Sequence, residues 1–414
     1  MAPKPKIFYG WIISLLSFMA ASTYGLFFSY SVFIQPLEAE LHASRAAISS
    51  VYTLYMIIYG FCAIPMGWIS DRYGPRTTLW LAAIFIGSGI SLCSLATSVW
   101  ALYLFFGLIA SIGHGAVFVV PTSTINRWFV KRKGLAVGIA VSGVGFGLLV
   151  VPPITAQIVH AYGWKSGFLF LGILFFVVNA LVATFIKARP ADMGLKPYGE
   201  DAEETTTAQV SAGIKDYSVI ETLREKGFWM LYLVTLLTFA AEQMTVVHIV
   251  PYSTDMGMSV TKASLGLSLL GIGTIIGRVI SGAISDRIGR ILTLVLCCGI
   301  EAVAILYLLA VKGPASLYLA MFVLGIGYGG WVVLISVLLG EFYGLKNLGT
   351  ILGLNFTAAA PAGILGPLMG GMLFDLTHSY FLAILIAGII CIVAVVLAAL
   401  TRRPQTADDM KMNL

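Results

Sequence analysis

Five ionisable side chains stand inside long apolar stretches of this 414-residue sequence: His114, Glu242, His248, Arg278 and Glu301. At hydrocarbon depth a charged side chain costs about 2.5–3.5 kcal/mol even on the lenient insertion scale, so each of the five needs a physical reason. Arg278 offers a planar fork of N–H donors that matches a carboxylate, or else holds a structural ion pair with an acid such as Glu242. Glu242, out of water, is a group that can take up and release a proton, and His114 and His248 are further candidates for that work. Glu242 and His248 are six residues apart and so do not share a helix face. The five cysteines all lie in apolar segments without metal-ligand spacing, which reads as small buried side chains. There is no H-E-x-x-H, no G-x-S-x-G and no Walker lysine motif. The expectation is a non-enzyme without metal or cofactor, whose polar groups bind and move something.

These residues need a scaffold that lives in lipid. Of the sequence, 59% is hydrophobic and only 11% charged, far below the quarter that keeps a soluble surface wetted. The net charge of +6 forms no basic face or tail, so nucleic acid is not an expected partner. Apolar runs long enough to cross a bilayer fall near 8–34, 48–70, 76–97, 99–123, 134–158 and 164–187. A second set falls near 227–251, 262–285, 291–311, 315–340, 348–375 and 379–401. The first run is too long for a signal-peptide core and reads as a true span. The domains expected are an N-terminal six-helix unit over 1–187, a polar linker over 188–226 with a short amphipathic helix around 217–225, a C-terminal six-helix unit over 227–401 and a tail over 402–414. With the N-terminus inside, twenty of the 25 Lys and Arg residues fall on the cytoplasmic side; Arg45, Lys165, Lys262 and Lys312 fall outside, and Arg278 within a span. This bias predicts a multi-pass protein of the cell membrane with both termini cytoplasmic.

The loop after the second run reads Gly67-Trp-Ile-Ser-Asp71-Arg72-Tyr-Gly74-Pro-Arg76, and the loop after the eighth reads Gly282-Ala-Ile-Ser-Asp286-Arg287-Ile-Gly289-Arg290. The same pattern recurs in register in both halves. It resembles the loop signature of the major facilitator superfamily, and the resemblance covers the chain outside the linker and tails. It implies an all-α membrane protein: twelve transmembrane helices as two six-helix bundles around a central cavity, with the site near the midplane. It further implies that spans one, four, seven and ten line the cavity. Asp71, Arg72, Arg76, Asp286, Arg287 and Arg290 are then conformational residues, capping helix ends and forming ion pairs that break as the halves rock.

A narrower pattern opens the fifth span: Asn126-Arg127-Trp128-Phe129, Lys131-Arg132-Lys133-Gly134, then Ser142-Gly143, Gly145 and Gly147, with Tyr9-Gly10-Trp11 near the start. It is similar to the monocarboxylate transporter family and its bacterial relatives near the oxalate/formate antiporters. In that family an arginine of the eighth span binds the substrate carboxylate, and Arg278 falls at the matching position. It lies eight residues before Asp286, roughly 12 Å inward along a helix. The sister position before Asp71 is Ala63, so the repeat itself does not demand a cation there. Thr274 and Phe28 stand where vertebrate members carry an aspartate and a lysine, and Ala359 where oxalate-type relatives carry a second cation. One cation suits one negative charge. The implied function is secondary transport of a small monocarboxylate such as lactate or pyruvate, proton-coupled, by a monomer. Phe28, Phe118, Phe146, Thr274, Tyr328, Asn355 and Phe356 are the expected cavity wall, although ordinary helix packing explains most of them equally well. Anion exchange is the nearest alternative. Drug efflux would not need the arginine, and a non-transporting sensor would add a sizeable cytoplasmic domain.

The orientation makes a direct test. Cysteines introduced at Ser44 or Ser253 should react with an impermeant thiol reagent from outside sealed cells, and one at Ser285 should not; ready external labelling at Ser285 reverses the topology.

Overall fold

The computed structural model describes residues 8–200 and 216–404, the side chains at 28, 45–46 and 260–261 excepted. Most of the acidic linker, and the end of the tail, therefore lie outside the described residues. Within them the apolar runs are helices, because a backbone in lipid must satisfy its own N–H and C=O groups. The first bundle comprises α1 (Tyr9–Leu41), α2 (Arg45–Tyr73), α3 (Pro75–Cys93), α4 (Val99–Trp128), α5 (133–162) and α6 (164–185). The second comprises α7 (Lys226–Asp255), α8 (Val260–Ile288), α9 (Arg290–Tyr307), α10 (Pro314–Tyr343), α11 (Leu348–Thr377) and α12 (Phe381–Leu400).

The stretch Lys133–Phe185 is one long helical run, interrupted only by a turn at Ser142. At 1.5 Å per residue it would be about 80 Å long, more than twice a hydrocarbon core. It turns at Gly163, whose φ of +81° is open to glycine and costly to other residues, and so supplies two spans. Gly74 and Gly289 take nearly the same positive φ, +88° and +95°, where α2 gives way to α3 and α8 to α9. The repeated loop thus has one backbone solution in both halves.

Several helices run beyond their apolar cores, α1 to Leu41 and α4 to Trp128, because polar ends can continue a helix out of the lipid. The short linker helix is Val219–Arg224, with Ser218 and Glu221 forming a capping box. Earlier in the linker, Tyr198 pairs with Phe129 in an isolated parallel bridge, a contact invisible to hydropathy. Three spans are broken: α1 at 23–24, α5 at Ser142 and α11 at 357–358. The α5 and α11 breaks come nine residues into each helix, at corresponding places in the two halves.

The bundles meet along α2 with α11 and α5 with α8. Toward the signature loops both seams are made of glycine. A Cβ built on Gly282 would strike the Gly134 carbonyl, and one on Gly349 would lie 2.8 Å from the Gly67 carbonyl. The seam is therefore closed backbone to backbone on this face. Ser44 is exposed, but Ser253 and Ser285 are both buried. Lys312 and Arg287, exposed on opposite faces, are the better labelling positions.

Candidate functional site

Arg278 lies on α8 with 1% of its surface exposed. Its Nη1 donates to the Val141 carbonyl at 2.7 Å, across the seam on α5. Val141 ends the first segment of that broken helix, where carbonyls lack intrahelical partners. The guanidinium stands 5.7 Å from the centre of the Tyr328 ring, a cation–π contact. Its Nε is buried without an acceptor. Glu242 of α7 is within electrostatic reach, yet no ion pair joins the two among the described residues, and Glu242 Oε2 is likewise unpartnered. The structure thus holds a buried cation that no carboxylate among the described residues neutralises by contact.

Aromatic rings also bridge the two bundles. Phe356, at the break of α11, stacks on Phe118 of α4 at 4.9 Å and meets Tyr59 of α2 edge-on at 5.6 Å. The Tyr59 and Tyr24 hydroxyls share a hydrogen bond of 2.7 Å. Tyr328 packs near Phe239 and Trp331. Thr274 is buried one turn before Arg278, and its hydroxyl donates to the Leu270 carbonyl of its own helix. Asn355 Oδ1 accepts from Thr235 at 3.0 Å, while its buried Nδ2 has no acceptor.

Of the other sequence candidates, His114 joins this aromatic cluster and the rest lie apart from it. His114 is buried against Tyr24 and Phe27, with Nδ1 2.5 Å from the Tyr55 hydroxyl. His248 meets the Pro367 carbonyl at 3.0 Å, toward the end of α7 away from the signature loops. Phe146 is exposed and packs on Phe18 of α1. The side chain of Phe28 lies outside the described residues. Glu301 is fully buried on α9 with both oxygens unpartnered.

The signature loops form a second constellation, in which the aspartates cap helix ends as the motif implied while most of its arginines stay exposed. Asp71 accepts from the backbone N–H groups of Gly349 and Thr350, at 3.0 and 2.8 Å, and from the Thr350 hydroxyl. These are the second and third residues of α11, whose own N-cap, Asn347, supplies no cap. Asp286 accepts from the N–H groups of Gly134 and Leu135, both at 3.1 Å, at the start of the equally uncapped α5. Each loop carboxylate therefore caps a helix of the opposite bundle, where the helix dipole also favours it.

The ion pairs are less symmetric. Asp286 pairs with Arg290 of its own motif at 2.6 Å, and Arg290 reaches Glu341 of α10 at 3.1 Å. Asp71 pairs with Arg127 of α4 at 2.9 Å, and Arg127 also donates to the Leu345 carbonyl of the second bundle. Arg72 instead rests on Trp68 and Tyr73, and Arg72, Arg76 and Arg287 are exposed. Arg127 and Glu341 were missed as site residues. Their signal was a charge at the very end of a long apolar helix in each half.

With that geometry in view, three comparisons bear on the chain. The Major Facilitator Superfamily family model matches residues 11–367 and again 231–411. The chain is 28% identical to the oxalate:formate antiporter of Oxalobacter formigenes over 348 residues, covering 83% of this chain and 80% of that one. It is 26% identical to monocarboxylate transporter 13 of Bos taurus, covering 94% and 88%. Among solved structures, the proton:xylose symporter XylE superposes with a TM-score of 0.71 at 18% identity, over 98% of this chain and 99% of that one.

Asp71 and Arg72 should separate cleanly on substitution. Asp71→Ala leaves Arg127 unpaired in a mostly buried place and uncaps α11, a loss of about 3–5 kcal/mol. Arg72→Ala, on the exposed surface, should change stability by no more than about 0.5 kcal/mol. Thermal unfolding of the purified protein measures both; equal effects would remove Arg127 as the partner that matters.

Proposed function

This chain belongs to the major facilitator superfamily, and on that premise we propose that it is a secondary active transporter of small monocarboxylates, lactate- or pyruvate-like, moved with a proton by alternating access. It sits in the cell membrane with the signature loops and both termini in the cytoplasm, and it works by transport rather than catalysis. The observation that carries the reading is Arg278: buried at the seam of the bundles, with a free Nε and no carboxylate of the described residues in contact. A guanidinium so placed is short of one anion. A substrate carboxylate supplies it, accepting from the edge that Val141 leaves free. The relatives support the same class, since they are named as monocarboxylate transporters and an oxalate:formate antiporter. The lone cation favours a monoanion. The apolar rings of Phe118 and Phe356 suit a short hydrocarbon body, and the free N–H of Asn355 suits a hydroxyl or keto oxygen.

Coupling follows from Glu242. In the empty site its charge and that of Arg278 balance at a distance. When substrate carboxylate takes the guanidinium, Glu242 is left buried with no counter-charge and binds a proton from the open side of the cavity. The loaded site then holds one cation, one anion and one neutral acid, so it can reorient without carrying an extra charge. Opening on the other side releases anion and proton together.

The test is uptake of labelled lactate, formate and oxalate into proteoliposomes with and without an imposed pH gradient. Arg278→Ala should lose binding by 30-fold or more, consistent with about 2–5 kcal/mol for a buried charged partner. Arg278→Lys should recover only part of it, because a point charge lacks the fork. Unchanged affinity in a folded Arg278→Ala protein removes the carboxylate site.

Glu242→Gln keeps the shape of the acid and cannot carry the proton. It should exchange substrate across the membrane as the parent does, yet fail to concentrate it under an inward proton gradient. Accumulation by Glu242→Gln equal to the parent's moves the proton to another group, with His114 and His248 next in line.

A further inference from the structure

Glu301 has no part in the cycle above, yet it is an acid enclosed midway along α9, with none of its surface exposed and neither carboxyl oxygen partnered. The internal repeat supplies a control. In the register that aligns Asp286 with Asp71, the sister of Glu301 is Ile86 of α3, so the fold does not require an acid there. A glycine run on α10 draws the residue inward. A Cβ built on Gly327 would lie 2.7 Å from the Glu301 nitrogen and 2.9 Å from its Cβ. One on Gly329 would lie 2.4 Å from the Thr274 carbonyl oxygen and 3.1 Å from the Arg278 nitrogen. The α10 backbone is thus bare toward α9 on one side and toward α8 on the other. Glu301 comes within electrostatic reach of Glu242 on α7 and of Tyr328 on α10. The other titratable groups in its reach are Cys297 and Cys298 of its own helix and Cys391 of α12. Among the described residues no cation touches it.

A carboxylate buried without a cation or a donor in contact is far costlier than the neutral acid, so Glu301 holds a proton. Two acids here share one cation, and Glu242 is the one within reach of Arg278. We propose that Glu301 is a positioning residue for proton coupling: as a neutral acid it donates a hydrogen bond to Glu242, directly or through a water, and so favours the ionised Glu242 of the empty site. The two groups complement each other. Glu242 Oε2 is a buried acceptor without a donor, and a protonated Glu301 is a buried donor without an acceptor. Trp331, with its own Nε1 unpartnered, is also in reach of Glu301 and can serve the second oxygen of the acid. A donor aimed at the charged form favours that form. Glu301 therefore helps Glu242 give up its proton once substrate has left, while its own proton stays in place throughout the cycle. The inference rests on the coupling role given to Glu242 above.

The test compares the full-length parent with Glu301→Leu and Glu301→Gln in proteoliposomes, using labelled lactate. Leucine fills similar space without a donor, and glutamine restores an N–H donor that cannot ionise. Counterflow exchange, which needs no net proton movement, checks that each variant is folded. Proton-driven uptake is then measured across pH. Without the donor, Glu242 keeps its proton to higher pH, so the alkaline limb of the Glu301→Leu profile should move up by about one pH unit, a tenfold change in proton binding. Glu301→Gln should bring the limb back to that of the parent. An infrared difference spectrum, parent minus Glu301→Gln, should carry the carbonyl stretch of a protonated carboxylic acid above neutral pH, and it decides the protonation even if leucine prevents folding. A missing band, an unmoved limb in Glu301→Leu, or equal shifts in both variants overturns the role of Glu301 and leaves Glu242 as the carrier. A parent whose uptake ignores pH overturns the coupling reading itself, and this role with it.

Discussion

The structure depends on two helices that cannot finish their own ends. The first turns of α5 and α11 point N–H groups at the seam, and their own N-cap residues, Arg132 and Asn347, offer no acceptor. Asp286 and Asp71 supply it from the opposite bundle. Orphan N–H groups at a helix start are costly to bury, and here they are satisfied only when the bundles touch. The glycine seams follow from the same need. Carboxylates on short side chains can reach across only if the backbones meet, and Gly134 against Gly282 and Gly67 against Gly349 allow that. Capping and backbone contact therefore depend on each other on this face. In the proposed alternating-access cycle, water would take over these N–H groups when the bundles part.

The same seam continues inward to the candidate site. Gly138 of α5 packs on the backbone of Arg278, and the Arg278 guanidinium reaches back to Val141 three residues further along. The residue that meets the substrate in the proposed cycle is thus also a contact between bundles. An anion arriving at Arg278 alters a link that belongs to both the site and the interface. In that reading, binding and rocking share one side chain, and no long chain of intermediaries is required. The loop caps and the site are two depths of one interface, stabilised at the loops by capping and nearer the midplane by a cation in search of an anion.

How much was legible in the sequence varies by feature, for physical reasons. The fold was legible because lipid imposes a long-range rule on a one-dimensional string: about twenty apolar residues per crossing, repeated twelve times. The repeated loop was legible because a positive-φ turn admits glycine, and Gly74 and Gly289 stand at the same register in both halves. Arg278 stood out because the cost of an arginine in hydrocarbon makes any such residue conspicuous. The partners were not legible. Arg127 joins Asp71 across 56 positions, and Asp286 caps residues about 150 positions away. Nor does sequence say that Arg72, inside the motif, rests on Trp68 while a residue outside it does the pairing.

The sequence by itself determined the solvent, the number of crossings, the internal repeat and the few charges that must have a purpose. These are properties of composition and spacing, and they hold before any two helices meet. The tertiary structure decided which charges find each other. It left Glu242 near Arg278 without an ion pair, set His248 against the Pro367 carbonyl, and put Phe356 among the rings of the first bundle. Helix faces and breaks set these outcomes: a side chain's depth follows from its position in the chain, but its direction depends on how a helix is rotated and where it is interrupted. Only the packing of all twelve helices fixes that rotation.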